Sequence, residues 1–247
     1  MAVAFDAAGL SHVNGSSANE ASFTITHNPV ADLSAGGGVA VIVCTRGSQT
    51  DHIASVTYDG EAMSRITGGD PIVADDNAGE GGRADLFFLG SGINATDPAT
   101  ITVNRTNNTT PMWAASISVT ADTDTEIPSG SISLIEASVA STEQNCDDGS
   151  PGTNSLRIGG GYSDRGAPDA AGANSTFAVG NDEGGWSCSI AYETTPGQGS
   201  RPVGLADASS DETAYVHFAI SEVAGPSSFT QETHRFRNDD GALSEPV

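Results

Sequence analysis

The chain has no lysine. All nine of its basic side chains are arginine, set against 32 acids of which 20 are Asp and 12 Glu, so the formal net charge is −23. A surface of that sign repels the phosphates of nucleic acid and the headgroups of anionic membranes, which excludes both as partners. The missing lysine also removes a long apolar stem from the surface, while short carboxylates hold a hydrated shell. The plainer meaning is a soluble protein whose self-repulsion prevents aggregation. The sharper one is adaptation to high salt, in a marine or halophilic setting where ions screen that repulsion.

Aromatic residues are also scarce, at 6%, within a hydrophobic content of 37%. No apolar run approaches the ~18 residues of a membrane-spanning helix. The N-terminus, MAVAFDAAGL, lacks a basic region and a long apolar stretch, so no secretory signal is expected. Three cysteines cannot all pair. Cys44 sits in the apolar run VAVIVCT and reads as a small buried hydrophobe. Cys146 in QNCDDG and Cys188 in WSCSI leave one disulfide open between them, and no Cys/His spacing suggests zinc.

Short alternating strands fill most of the length, with no helical period. Phe23 and Ile25 alternate with Ser22, Thr24 and Thr26; Trp113, Ala115, Ile117 and Val119 alternate with Ala114, Ser116 and Ser118. The run VAVIVC is apolar on both faces, as in a strand covered on both sides. In IASVTYDGEAMSRI (53–66), Asp59-Gly60 predicts a type I′ hairpin that sets Val56 opposite Met63 and Ile53 opposite Ile66. Glycine-rich turns at 36–38, 79–82, 149–152 and 195–199 punctuate the strands, and long loops are expected over 68–82, 141–154 and 164–175. The pattern predicts an all-β fold, a two-sheet antiparallel sandwich of jelly-roll or concanavalin-like type. Val56, Met63, Phe87, Trp113, Ile117, Val119, Phe218 and Ile220 fall on its buried faces. The domain spans 1–224, a linker 225–228 (within AGPSS), and a short C-terminal arm 229–247.

Residues 3–223 resemble a β-sandwich module of tailed-virus structural proteins and bacterial surface proteins. The resemblance rests on the AFDAA-like first strand, SVTYDGEAM (55–63), LFFLG (86–90), the TITV-like strand at 100–103 and NSLRIGGGYS (154–163). At the last of these, Arg157 and Gly159–Gly161 depart from the apolar strand such modules carry. HRFRNDDG (234–241) looks like the truncated start of a second repeat. The resemblance implies a sandwich fold and a place on particles or surfaces, and it implies no catalytic residue.

The residues themselves nominate little chemistry. No G-x-S-x-G elbow, HExxH pair or phosphate-binding loop is present, and His217 reads as an ordinary strand residue on the face opposite Val216, Phe218 and Ile220. No cofactor is expected. Calcium is the best metal candidate, with Asp75 and Asn77 in DDNAGE as oxygen ligands, although the same residues form plain turns. Phe229, His234, Arg235, Phe236 and Arg237 could make the tail an assembly arm that docks on an acidic neighbour. Taken together, the expectation is a non-enzymatic structural protein on a virion exterior, made in the host cytoplasm. It would serve as a capsid decoration, turret or fibre subunit, with other virion proteins and its own copies as partners. The alternative is a carbohydrate-binding adhesin module stacking sugars on Trp186, Trp113 or Tyr192.

Overall fold

The computed structural model describes residues 3–13, 20–46, 50–66, 72–73, 82–93, 98–106, 110–137, 144–146, 154–163, 170–172, 174–182, 187–194, 203–206 and 213–223. The strands in chain order are β1 (Ala4–Val13), β2 (Ser22–His27), β3 (Gly37–Arg46), β4 (Ile53–Tyr58), β5 (Glu61–Ala62), β6 (Ser64–Arg65) and β7 (Ile72–Val73). They continue with β8 (Gly82–Leu89), β9 (Ala99–Arg105), β10 (Met112–Thr120), β11 (Thr125–Glu126), β12 (Ser133–Ala137) and β13 (Gln144–Cys146). The last are β14 (Ser155–Ser163), β15 (Ala170–Ala171), β16 (Ser175–Asp182), β17 (Ser187–Glu193), β18 (Val203–Ala206) and β19 (Thr213–Glu222). A single 3-10 turn, Leu33–Ala35, is the one helical element among the described residues.

The fold is an all-β antiparallel sandwich, as expected, and it is thicker than two sheets. A central sheet runs β1-β10-β3-β8-β6, with β7 also on β8. A front sheet, β2-β9-β4-β5, covers one of its faces, and a back sheet, β11-β19-β14-β17-β16 with β12 on β19, covers the other. A small sheet, β13-β18-β15, lies against the outer side of the back sheet, where Leu205 packs with Ala191 and Tyr215.

The sequence of β3 explains the third layer. Val39, Val41 and Val43 enter the core shared with the front sheet, while Ala40, Ile42 and Cys44 enter the core shared with the back sheet. A strand with only one buried face would alternate apolar and polar residues; this one is apolar at every position from Val39 to Cys44 because both faces leave water. The eight residues expected inside are all buried.

The 53–66 hairpin is half as expected. Asp59 (φ 47°) and Gly60 (φ 89°) form the two-residue turn, Tyr58 pairs with Glu61, and Met63 N–H donates to the Val56 carbonyl at 3.0 Å. Ile53, however, does not face Ile66. After Met63 the chain leaves the front sheet: β6 pairs with β8 of the central sheet, and Ile66 N–H donates to Leu86. Ile53 pairs instead with Arg105 and stays in the front core, whereas Ile66 packs on the back core. Turn chemistry fixes the first pairs of a hairpin, but how far the ladder runs depends on which layer needs each side chain.

Two other expectations shift. The first strand runs past its AFDAA start for ten residues, to Val13, where Gly9 lets β1 approach Ser116 and Thr26 closely. Each of the three long loops contains a short strand, β7, β13 and β15, too brief to show a period.

Candidate functional site

Several nominated residues lie outside the described set. Asp75 and Asn77, the calcium candidates, do, as do the linker and the arm residues Phe229, His234, Arg235, Phe236 and Arg237. Among the described residues, no three His, Cys, Asp or Glu side chains gather as a metal-binding group. Of the aromatic residues proposed to stack on sugars, Trp113 is buried between the central and back sheets, and Trp186 lies outside the described set. The Tyr192 ring is stacked on Phe5, with centroids 4.2 Å apart. His217 is buried in the back sheet opposite Gly159, where any Cβ would collide with its ring. The glycines that break the apolar norm of 154–163 are therefore packing residues. Gly159 admits His217, and a Cβ on Gly160 would strike the Ser189 carbonyl.

Two polar clusters occupy the interface between the central and front sheets. The first joins β1, β2 and β10. His27 Nδ1 lies 2.8 Å from Ser116 Oγ, and Ser116 donates to the Gly9 carbonyl at 3.3 Å. Asp6, at a bulge between Phe5 and Ala7, accepts from Ser118 Oγ at 2.8 Å and from the backbone of Val30 and Ala31. Serine, histidine and aspartate thus come together, but not in the roles of a nucleophilic triad. The carboxylate holds a second serine and two backbone amides in place of orienting the imidazole. His27 and Ser116 are fully buried, so no substrate carbonyl can reach the hydroxyl. Burial lowers the pKa of His27 to about 4 against a smaller upward pull from Asp6, so the ring is neutral at pH 7. What the cluster does is clamp three strands and satisfy groups that a dry interface would otherwise leave unpaired.

The second cluster joins β6, β8 and Asp51, two residues before β4. Arg83 and Asp85, two apart on one face of β8, meet at 2.5 Å (Nε–Oδ2) and 3.0 Å (Nη2–Oδ1). Arg65 reaches the same carboxylate at 2.6 Å, bonds Asp51 with its other nitrogen at 2.5 Å, and lies over the Phe87 ring at 5.5 Å. Asp85 is 0% exposed and Arg83 2%, so this is a buried pair whose lone pairs are answered by a second guanidinium. Partial burial pushes the Asp51 carboxyl up, but the Arg65 hydrogen bond, the Ile53 amide and the two guanidinium charges outweigh it and hold it below its ordinary value. Burial likewise pushes Arg65 down, and its two carboxylate partners more than restore it.

These clusters reveal how the charges are divided. Of the arginines in the described residues, Arg83, Arg105 and Arg157 are buried, Arg46 and Arg65 half-buried, and none exposed. Arg105 donates to the carbonyls of Thr110 (2.5 Å) and Glu20 (3.3 Å), and the Arg157 amide donates to buried Glu193. Most of the described acids lie the other way: Glu20, Asp32, Asp51, Glu61, Asp122, Asp124 and Glu126 are exposed and Asp6, Asp59 and Glu222 half-buried, while Asp85 and Glu193 are buried beside arginines. Among the described residues the arginines are structural, and the exposed charged side chains are acidic.

One signal for the second cluster was available in the sequence. In GRADLFFL, two opposite charges at i and i+2 stand in an otherwise apolar strand, and a strand places such residues on one face. The partners Arg65 and Asp51, and the His27–Ser116 contact, depend on cross-strand and interlayer placement that no local pattern carries.

Comparison with protein-family models, curated proteins and solved structures finds no match to this chain.

Proposed function

We propose that this chain is a non-enzymatic structural protein of a particle exterior: a capsid decoration, turret or fibre subunit of a tailed virus from a marine or halophilic host. The observation that carries the proposal is the division of charge among the described residues, every arginine buried or half-buried and most carboxylates exposed, on a stack of sheets. A protein that must stay soluble while standing on a surface in concentrated salt needs a hydrated acidic exterior and a core held by contacts that salt does not screen. Buried ion pairs such as Arg83–Asp85 are screened much less than surface ones. The resemblance of SVTYDGEAM and its companion strands to virion and surface modules supports the same reading. The Ser–His contact gives no support to a hydrolase, because it is sealed between layers.

In this reading the segment 229–247 is the assembly arm, with Phe229, Phe236, Arg235 and Arg237 offering apolar and cationic groups to an acidic neighbour. The test is the composition of purified particles from the source culture, by mass spectrometry and labelled-antibody imaging. A stoichiometric component on the particle surface is expected. A chain absent from particles, or saturable binding of the isolated protein on a glycan array, would replace this proposal with the adhesin.

A further inference from the structure

We propose that Cys44 and Cys188 form a disulfide that bolts the central sheet to the back sheet. Their Sγ atoms stand 2.9 Å apart although 144 residues separate them in sequence. The structure holds them as free thiols, both fully buried in the core between the two sheets. Each sits on an interior strand, β3 between β10 and β8, and β17 between β14 and β16, so the bridge would join the middles of two sheets. The sulfurs point at each other more closely than two side chains in simple packing, and at a separation that a small shift converts to the ~2.05 Å of a bond.

The same geometry corrects the pairing the sequence left open. Cys188 shares a face of β17 with Ile190 and Tyr192, toward the central sheet, whereas Ala191 faces the small sheet. Cys146 belongs to β13 of that small sheet, on the far side of the back sheet. Cys188 therefore faces away from it, and Cys146 is left over.

The oxidant is a low-molecular-weight disulfide such as oxidised glutathione. One cysteine thiolate attacks it, forming a mixed disulfide and releasing one glutathione thiolate. The second cysteine thiolate then attacks the mixed disulfide at the protein sulfur, closing the Cys44–Cys188 bond and releasing the second glutathione thiolate. Two protein thiols are oxidised, one external disulfide is reduced, and the two protons end on glutathione. Burial, with Cys188 beside it, raises the Cys44 thiol well above its ordinary pKa, so the closed core supplies neither thiolate nor access. The bond forms while the chain folds, and the layers then shield it from reductant.

The full chain, unfolded and reduced, is refolded either in a mixture of oxidised and reduced glutathione or in excess reductant. It is then denatured, alkylated without reduction and mapped by mass spectrometry. In the oxidising arm one alkylated cysteine, Cys146, is expected, with the Cys44 and Cys188 peptides linked until reductant is added. The linked form should melt about 5–10 °C above the reduced form. The redox dependence of melting should vanish in Cys44→Ala. A folded oxidised chain with three alkylated cysteines, or a link that includes Cys146, or a linked form that melts no higher than the reduced one, overturns the proposal. Should oxidative refolding yield no folded chain, native protein opened in sub-denaturing urea with oxidised glutathione must still give the Cys44–Cys188 link. Failure to link there overturns it equally.

Discussion

On β10 the side chains facing the back sheet are Trp113, Ala115, Ile117 and Val119, whereas those facing the front sheet are Met112, Ala114, Ser116 and Ser118. On β8 the same division sets Ala84, Leu86 and Phe88 against Arg83, Asp85 and Phe87. The central sheet thus presents an apolar face to one neighbour and a mixed face to the other. Apolar packing is non-directional, so the back interface gains stability chiefly from fit and area, with the Thr125 hydroxyl bond to the Gly37 carbonyl and the Cys44–Cys188 contact as its directional additions. The front interface adds directional contacts near its margins, the His27–Ser116 hydrogen bond and the Asp51–Arg65–Asp85 ion network, beside the Asp6–Ser118 bond within the central sheet. The lesson is that one strand can serve two cores of different chemistry because its two faces are read independently.

The largest expected effects set the two interfaces side by side. Trp113→Ala should empty the back core and destabilise by about 3–5 kcal/mol in urea unfolding, and Asp85→Ala should cost about 3–5 kcal/mol by removing the buried carboxylate closest to Arg83, with Asp51 at 3.7 Å remaining. The two differ in how they are rescued. Adding Arg83→Met to Asp85→Leu should recover most of the loss, since apolar replacement of a buried pair is often neutral. No second substitution across the back core should do the same for Trp113. Equal rescue at both sites, or at neither, would remove the distinction between the faces.

A smaller effect belongs to the front interface alone. The folded pKa of His27 is about 4 against 6.5 for the free side chain, so between those values the unfolded chain binds more protons than the folded one. Stability is complete above pH 6.5 and falls as pH drops toward 4, by up to about 3 kcal/mol. His52 is shifted down as well, by burial and by Arg83 and Arg105 against Asp51, so part of the slope survives in any His27 variant. His27→Gln should flatten most of the dependence across this window. An unchanged slope would place the titration elsewhere.

The smallest is local. Gly60→Ala places a Cβ at φ 89° in the hairpin turn and should cost about 1 kcal/mol, without altering either interface. A loss as large as that of Trp113→Ala would mean the turn controls the path from the front sheet to the central one.

Much of this was legible in the sequence. Alternation located most of the long strands, Asp59-Gly60 fixed the turn, and the continuous apolar run of β3 already stated that both of its faces leave water. What it did not say is that two covered faces require three layers, because a strand of a parallel sheet or of a two-sheet core with a covering loop gives the same run. Ile53 and Ile66 look like cross-strand partners by spacing; the switch of sheets at Met63 depends on Leu86 offering its carbonyl to Ile66, which is tertiary. Cys44 was rightly placed in a core, but its neighbour 144 residues away could not be read from local pattern. His27 and Ser116 likewise meet only once the front sheet is laid on the central one.

The central claim is that charge is segregated among the described residues, with most carboxylates outward and the arginines inward, and it is tested most directly by urea unfolding of the full chain across NaCl concentrations from low to molar. Repulsion among exposed acids on a chain of net charge −23 is relieved as the Debye length falls to about 3 Å at 1 M, whereas the buried arginine pairs are largely untouched. The account predicts a stability that climbs steadily over that range and that NaCl and CaCl₂ raise alike at equal ionic strength. A stability that is flat, or that falls as surface ion pairs are screened, would contradict it.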